Sequence, residues 1–142
     1  MTEKLTIDLL QVLKNCITLC RQFPDAKYER TGVGFGSCLY TRGKGAEGCG
    51  CLIGQAIQML GQEYKDYLFL IENEHFKKKN VGSLGDVSGL MFRHFKILEN
   101  EQATDILNIL NDMQYQQDTD RTWYYCFEVS MPRLKKLGIT LT

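Results

Sequence analysis

The sequence predicts a mainly α-helical α+β fold: about five helices with a short β-hairpin or glycine-rich strand element, in one compact domain spanning 1–142. Three observations predict it. Apolar side chains recur at helical spacing along most of the chain. Seven of the thirteen glycines crowd between Lys27 and Gly50 and interrupt that pattern. The length of 142 residues and the hydrophobic content of 44% suit one ordinary domain, which buries roughly 68–70% of the surface its unfolded chain exposes.

The elements follow in order. Leu5 to Phe23 has helical period, with Leu9, Leu10, Leu13, Cys16, Ile17 and Cys20 on one face. Thr2 or Thr6 supplies the expected N-cap, and Pro24-Asp25 ends the helix. Lys27 to Gly50 holds Gly32, Gly34, Gly36, Gly43, Gly45, Gly48 and Gly50. Val33, Phe35 and the run Ser37 to Tyr40 between them suggest one or two short strands, with a turn at Arg42 to Gly45. Cys51 to Leu60 reads as a helix stopped by Gly61, and Tyr64 to Glu74 as the next. Lys77 to Asn80 reads as a charged loop. Ser83 to Leu98 reads as one helix with a weak start. Asn100 to Gln117 gives the clearest amphipathic pattern, through Ala103, Ile106, Leu107 and Leu110. Thr122 to Leu137 is helical again, kinked or restarted at Pro132 and ended by Gly138.

Charge and cysteine usage bound the chemistry. Lys+Arg and Asp+Glu number 17 each, so the formal net charge is zero. A duplex-coating protein carries a basic excess, because phosphate contacts supply most non-specific affinity. The balance therefore argues against nucleic acid as the partner. Met1 to Lys4 leads directly into an amphipathic pattern, and no apolar run reaches the ~18 residues a membrane span needs. The expectation is a cytoplasmic protein, with no membrane contact and with its six cysteines as thiols or metal ligands.

One segment could carry chemistry. A glycine-rich stretch running into a helix N-terminus suits an anion, because the first helical N–H groups lack internal partners and the helix dipole is positive there. Arg42 and Lys44 add two cations, and Gly48, Gly50 and Cys51 would offer backbone amides. No Gly-Lys-[Ser/Thr] closes the loop as in a Walker A sequence. The same glycines also suit a purely structural loop. Cys38, Cys49 and Cys51 are candidate metal ligands with His75 or His94, but one Cys-x-Cys plus a lone Cys matches zinc sites poorly. Cys51 is also the candidate nucleophile, since a thiol at a helix N-terminus has a lowered pKa. Buried packing thiols are the plainer reading of all of these. Gln117, Asp118 and Trp123 lie in a polar run that could surround an aromatic anchor, or end a solvated helix with Trp123 packed inward.

These residues carry a resemblance. Cys38 and Tyr40, then Gly50, Cys51, Leu52, Ile53, Gly54, Ala56 and Ile57, then Gln114, Gln117, Asp118 and Trp123 match two short motifs. The motifs are Cys-x-Tyr leading to Gly-Cys-[Leu/Ile]-[Ile/Val]-Gly-x-Ala, and Gln-x-x-Gln-Asp leading to Trp. The chain so resembles a group of small proteins of unknown function found in actinobacteria and bacteriophages. The resemblance covers the order of elements over most of the chain, with no counterpart for Lys77 to Glu99. It implies a compact fold, a phage or bacterial source, and that the Cys38–Cys51 and Gln117–Trp123 segments belong together.

The expected function is therefore that of a non-enzymatic binding protein without a cofactor, plausibly a phage-encoded counter-defence factor. It would block a host protein, or sequester a phosphate-bearing, nucleotide-like small molecule at the glycine-rich loop. In the ligand version Arg42, Lys44 and the Gly48–Cys51 amides hold phosphate, and Tyr40 or Trp123 stacks on a base. In the protein version the same rim is the interface, and it permits a homo-oligomer. The alternatives are a thiol- or zinc-dependent enzyme using Cys51 and neighbouring Cys or His, and a nucleic-acid-binding regulator.

Overall fold

The computed structural model describes residues 3–28, 40–41, 50–79 and 86–139, with the backbone alone at 76–79. Along these the order is β1 (Leu5–Ile7), α1 (Leu9–Gln22), α2 (Leu52–Gln58), α3 (Gln62–Lys79), α4 (Val87–His94), β2 (Phe95–Ile97), α5 (Ala103–Asp118) and α6 (Trp123–Lys136). The fold is mainly helical with one short sheet. Among the described residues there are six helices, each overlapping one of the helical segments read in the sequence.

The two strands account for the main corrections. Leu5–Ile7 is not the first turn of a helix: it alternates, with Ile7 buried and Thr6 exposed, and pairs with β2. Helix α1 starts afterwards, and its cap is Asp8 rather than Thr2 or Thr6. The Asp8 carboxylate accepts from Leu10 N at 3.0 Å and Gln11 N at 3.3 Å. The stretch expected as one helix over Ser83 to Leu98 likewise divides. Asp86 caps α4 by accepting from Gly89 N at 2.8 Å, and the chain turns extended at Phe95. The sheet is therefore parallel and joins distant segments, Leu5 to Phe95 and Ile7 to Ile97. The hairpin expected within Lys27–Gly50 falls almost wholly outside the described residues. Lys77 to Lys79, expected as a loop, continue the backbone of α3.

Helix α1 packs against α2, α5 and α6, and α5 against α6 and α4. Leu13, Leu19, Ile53, Leu68, Leu90, Leu110 and Trp123 fill the interior between them. Asn15, buried on α1, donates to Ala56 O at 3.0 Å and so ties α1 to α2. Thr122 caps α6 through Tyr125 N at 3.2 Å, and α6 runs on through Pro132. No helix is long and apolar enough to cross a membrane among the described residues.

Candidate functional site

The glycine motif before α2 is a close-packing device. Gly50 has φ +116°, a left-handed value that favours glycine. A Cβ at Gly54, in the helix itself, would lie 1.9 Å from Tyr40 O. Helix α2 can approach Tyr40 only because these side chains are missing. Side-chain amides then fasten the approach. Gln58 Nε2 donates to Tyr40 O at 3.1 Å, and Gln55 Nε2 to Gly50 O at 3.0 Å.

Glu72 on α3 holds the other side of the same strip. Its side chain is fully buried. One carboxylate oxygen accepts from Tyr40 N at 2.7 Å, and the other from Thr41 N at 2.9 Å and from the Thr41 hydroxyl. A buried carboxylate is tolerated where several donors satisfy it, and the Tyr40–Thr41 backbone supplies them.

The late polar segment meets this region inside the protein. Leu52 N, the first amide of α2, donates to Gln117 Oε1 at 2.9 Å. Gln117 Nε2 and Gln114 Nε2 both donate to Asp118 Oδ1, at 2.8 and 3.2 Å. Trp123 N donates to Ala26 O at 2.8 Å, and its indole is wholly buried. Two buried atoms here, Trp123 Nε1 and Gln114 Oε1, have no hydrogen-bond partner among the described residues. Tyr40, Cys51, Gln117 and Trp123 are therefore interior side chains, with Asp118 half-buried at their margin. Arg42, Lys44 and Gly48 lie outside the described residues, as do Cys38 and Cys49.

The described thiols sit in a core setting. Cys16, Cys20, Cys51 and Cys126 are all buried. Burial pushes the Cys16 thiol well up, and neighbouring Cys20, Cys51 and Cys126 add to it. Burial likewise raises Cys20, and raises Cys126 to about 12. A thiolate, the reactive and metal-binding form, is disfavoured at Cys16, Cys20 and Cys126. Among the described residues no three His, Cys, Asp or Glu side chains converge to hold a metal. His94 ends α4, and burial lowers its pKa, with Arg93, Lys4 and His75 adding to the effect.

The surface has a feature the sequence did not signal. An open groove of about 1140 Å³ runs between α2 and α3, with Leu19 and Thr41 at its sides. Met59, Phe69 and Leu70 line it and stay exposed, Phe69 by 53%. Gln55, Gln58, Gln62, Lys65, Asp66 and Asn73 give it a polar rim. The signal was weak because α3 spreads apolar residues around its circumference. Leu68 and Glu72, four apart, face inward while Phe69 and Leu70 face out.

Comparison of the chain with protein-family models, with curated proteins and with solved structures finds no match.

Proposed function

We propose that the protein is a non-enzymatic binding protein that engages a partner protein through the α2–α3 groove. The observation that carries this reading is a cluster of three of the seven exposed large apolar side chains among the described residues. Met59, Phe69 and Leu70 are on one concave face, while Tyr40, Cys51, Gln117 and Trp123 are buried. Exposed apolar clusters rimmed by polar residues are the usual mark of an interaction surface. With the resemblance to actinobacterial and bacteriophage proteins, we take the partner to be a host protein and the effect to be inhibition, as for a counter-defence factor.

The phosphate-bearing ligand is less well supported, because Leu52 N–H already donates to Gln117. The enzyme alternative is weakened by the burial of the Cys51 thiol. The zero net charge continues to disfavour a nucleic-acid regulator.

Native mass spectrometry of the untagged protein from its expressing host tests the reading. The expected result is a complex with a protein partner, lost in the Met59→Glu/Phe69→Glu variant. A nucleotide-sized or zinc adduct retained by that variant, with no protein complex in the wild type, would overturn it.

A further inference from the structure

The outer face of the two-stranded sheet is basic. Register pairs Leu5 with Phe95, Thr6 with Lys96 and Ile7 with Ile97. Leu5, Ile7, Phe95 and Ile97 face the core. By the two-residue alternation of strands, Thr6 and Lys96 share the opposite face, with Lys4 just before β1 and His94, the last residue of α4, just before β2. Lys4, Thr6 and Lys96 are exposed, His94 is half-buried, and exposed Arg93 stands beside them. Phe92 and Leu98, exposed by 65% and 48%, flank the row. The only ion pair among the described residues is Arg133–Asp112, so these cations have no carboxylate partner within that set. Glu3 and Glu99 bound the patch along the sequence. His94 reports the shared field: after burial, Arg93, Lys4 and His75 lower its pKa.

Among the described residues the outer edge of β2 is unpaired at Ile97 alone, since Phe95 N on the same edge donates to Met91 O. Only β1 pairs with β2 among the described residues. Leu98 N donates to Ile7 O at 2.9 Å. Parallel ladders alternate, so Lys96 and Leu98 turn their backbone groups to β1 while Ile97 turns its N–H and C=O away. An unpaired strand edge is a template for one further strand. The edge of β1 is closed at one point, where the Tyr64 hydroxyl donates to Thr6 O at 2.6 Å.

We infer that β2 is a docking edge for an extended, alternating acidic–apolar segment of a partner protein. Its acidic side chains meet Lys96, His94 and Lys4, and its apolar ones lie beside Ile97 on the core side. Charge complementarity selects the occupant. A free phosphate would use the cations but not Phe92 and Leu98, and a nucleic acid needs a wider basic surface than a neutral chain offers. The inference rests on the partner-protein reading above and adds a second surface to it.

The test uses a peptide of four Glu-Val repeats as probe, with a Lys-Val peptide, inorganic phosphate and an oligothymidylate as comparators. Amide NMR of the whole protein at low ionic strength reads the binding. Expected are shifts at residues 92–98 and Lys4 with slowed exchange of Ile97 N–H. In Lys4→Glu/Lys96→Glu, whose side chains are exposed, affinity falls at least tenfold. Met59→Glu/Phe69→Glu leaves the peptide affinity unchanged. The inference is overturned by absence of shifts, by equal binding of the Lys-Val peptide, by tighter binding of phosphate or oligothymidylate, or by a charge-reversal variant that binds normally. Any of these with partner capture still lost in the groove variant would sink the edge alone and leave the groove reading standing.

Discussion

Gly54 and Glu72 decide more of this fold than their sequence context suggests. A methyl on Gly54 would meet Tyr40 O at 1.9 Å, and the atom it meets is backbone. Overpacking of that kind costs about 1–3 kcal/mol, so Gly54→Ala should lower stability in urea denaturation by about that much. Gln55→Ala, which removes a bond without adding bulk, should cost less. Glu72→Ala strands two buried amides, and an unsatisfied buried donor costs about 1–3 kcal/mol. The thiols give a direct chemical readout. With Cys16, Cys20, Cys51 and Cys126 buried, alkylation of the native protein mapped by mass spectrometry should leave all four unmodified until the protein unfolds. Rapid native labelling of Cys51 would revive the nucleophile reading. Two pH effects follow by linkage. His94 binds its proton more weakly when folded, so its contribution is complete above the ordinary 6.5 and falls as pH drops below it. His94→Asn should therefore flatten the acid-side loss of stability. Cys126 holds its proton up to about 12, so its contribution is complete below the ordinary 9.0 and is lost as pH rises from 9.0 toward about 12.

At the scale of elements, helices with one clear apolar stripe were legible and the strands were not. The spacing of Leu9, Leu13, Cys16 and Cys20 placed α1, and Ile106, Leu107 and Leu110 placed α5. Leu5 and Ile7 are apolar at positions that also suit the α1 period, so a three-residue strand hid inside a helix-like pattern. Phe95 and Ile97 were absorbed into α4 in the same way. A parallel pair between residues ninety apart leaves no local trace, because the partner supplies the reason to be extended. Caps were half legible. Thr122 was within the expected helix start, whereas Asp8 was overlooked because Leu5 seemed to begin the helix. Asp8→Ala should cost about 1 kcal/mol in thermal or urea denaturation, while Thr6→Ala should change stability little at the cap. Gln117 ties α5 to α2 by a side-chain hydrogen bond. Gln117→Leu removes the acceptor of Leu52 N and should cost about 1–3 kcal/mol.

Across the whole molecule, the glycines and glutamines that looked like a ligand cradle assemble the interior. Gly50, Gly54, Gln55, Gln58 and Gln117 bring Tyr40, Cys51 and α5 together by close approach and side-chain amide bonds. Residue type signalled this region, but burial could not be read from it, since a glycine before a helix serves a ligand and a packed neighbour equally well. The groove was illegible for a related reason. Met59, Phe69 and Leu70 look like core residues in sequence, and only the packing of α3 against α2 and Glu72 turns them outward. Hydrogen exchange of the protein, free and bound to its captured partner, tests the central claim most directly. The expected result is slowed exchange along residues 58–73, lining the α2–α3 groove, with the exchange of the Gly50–Cys51 and Gln117–Trp123 segments unchanged. Protection confined to those two segments, with the groove unaffected, would contradict it.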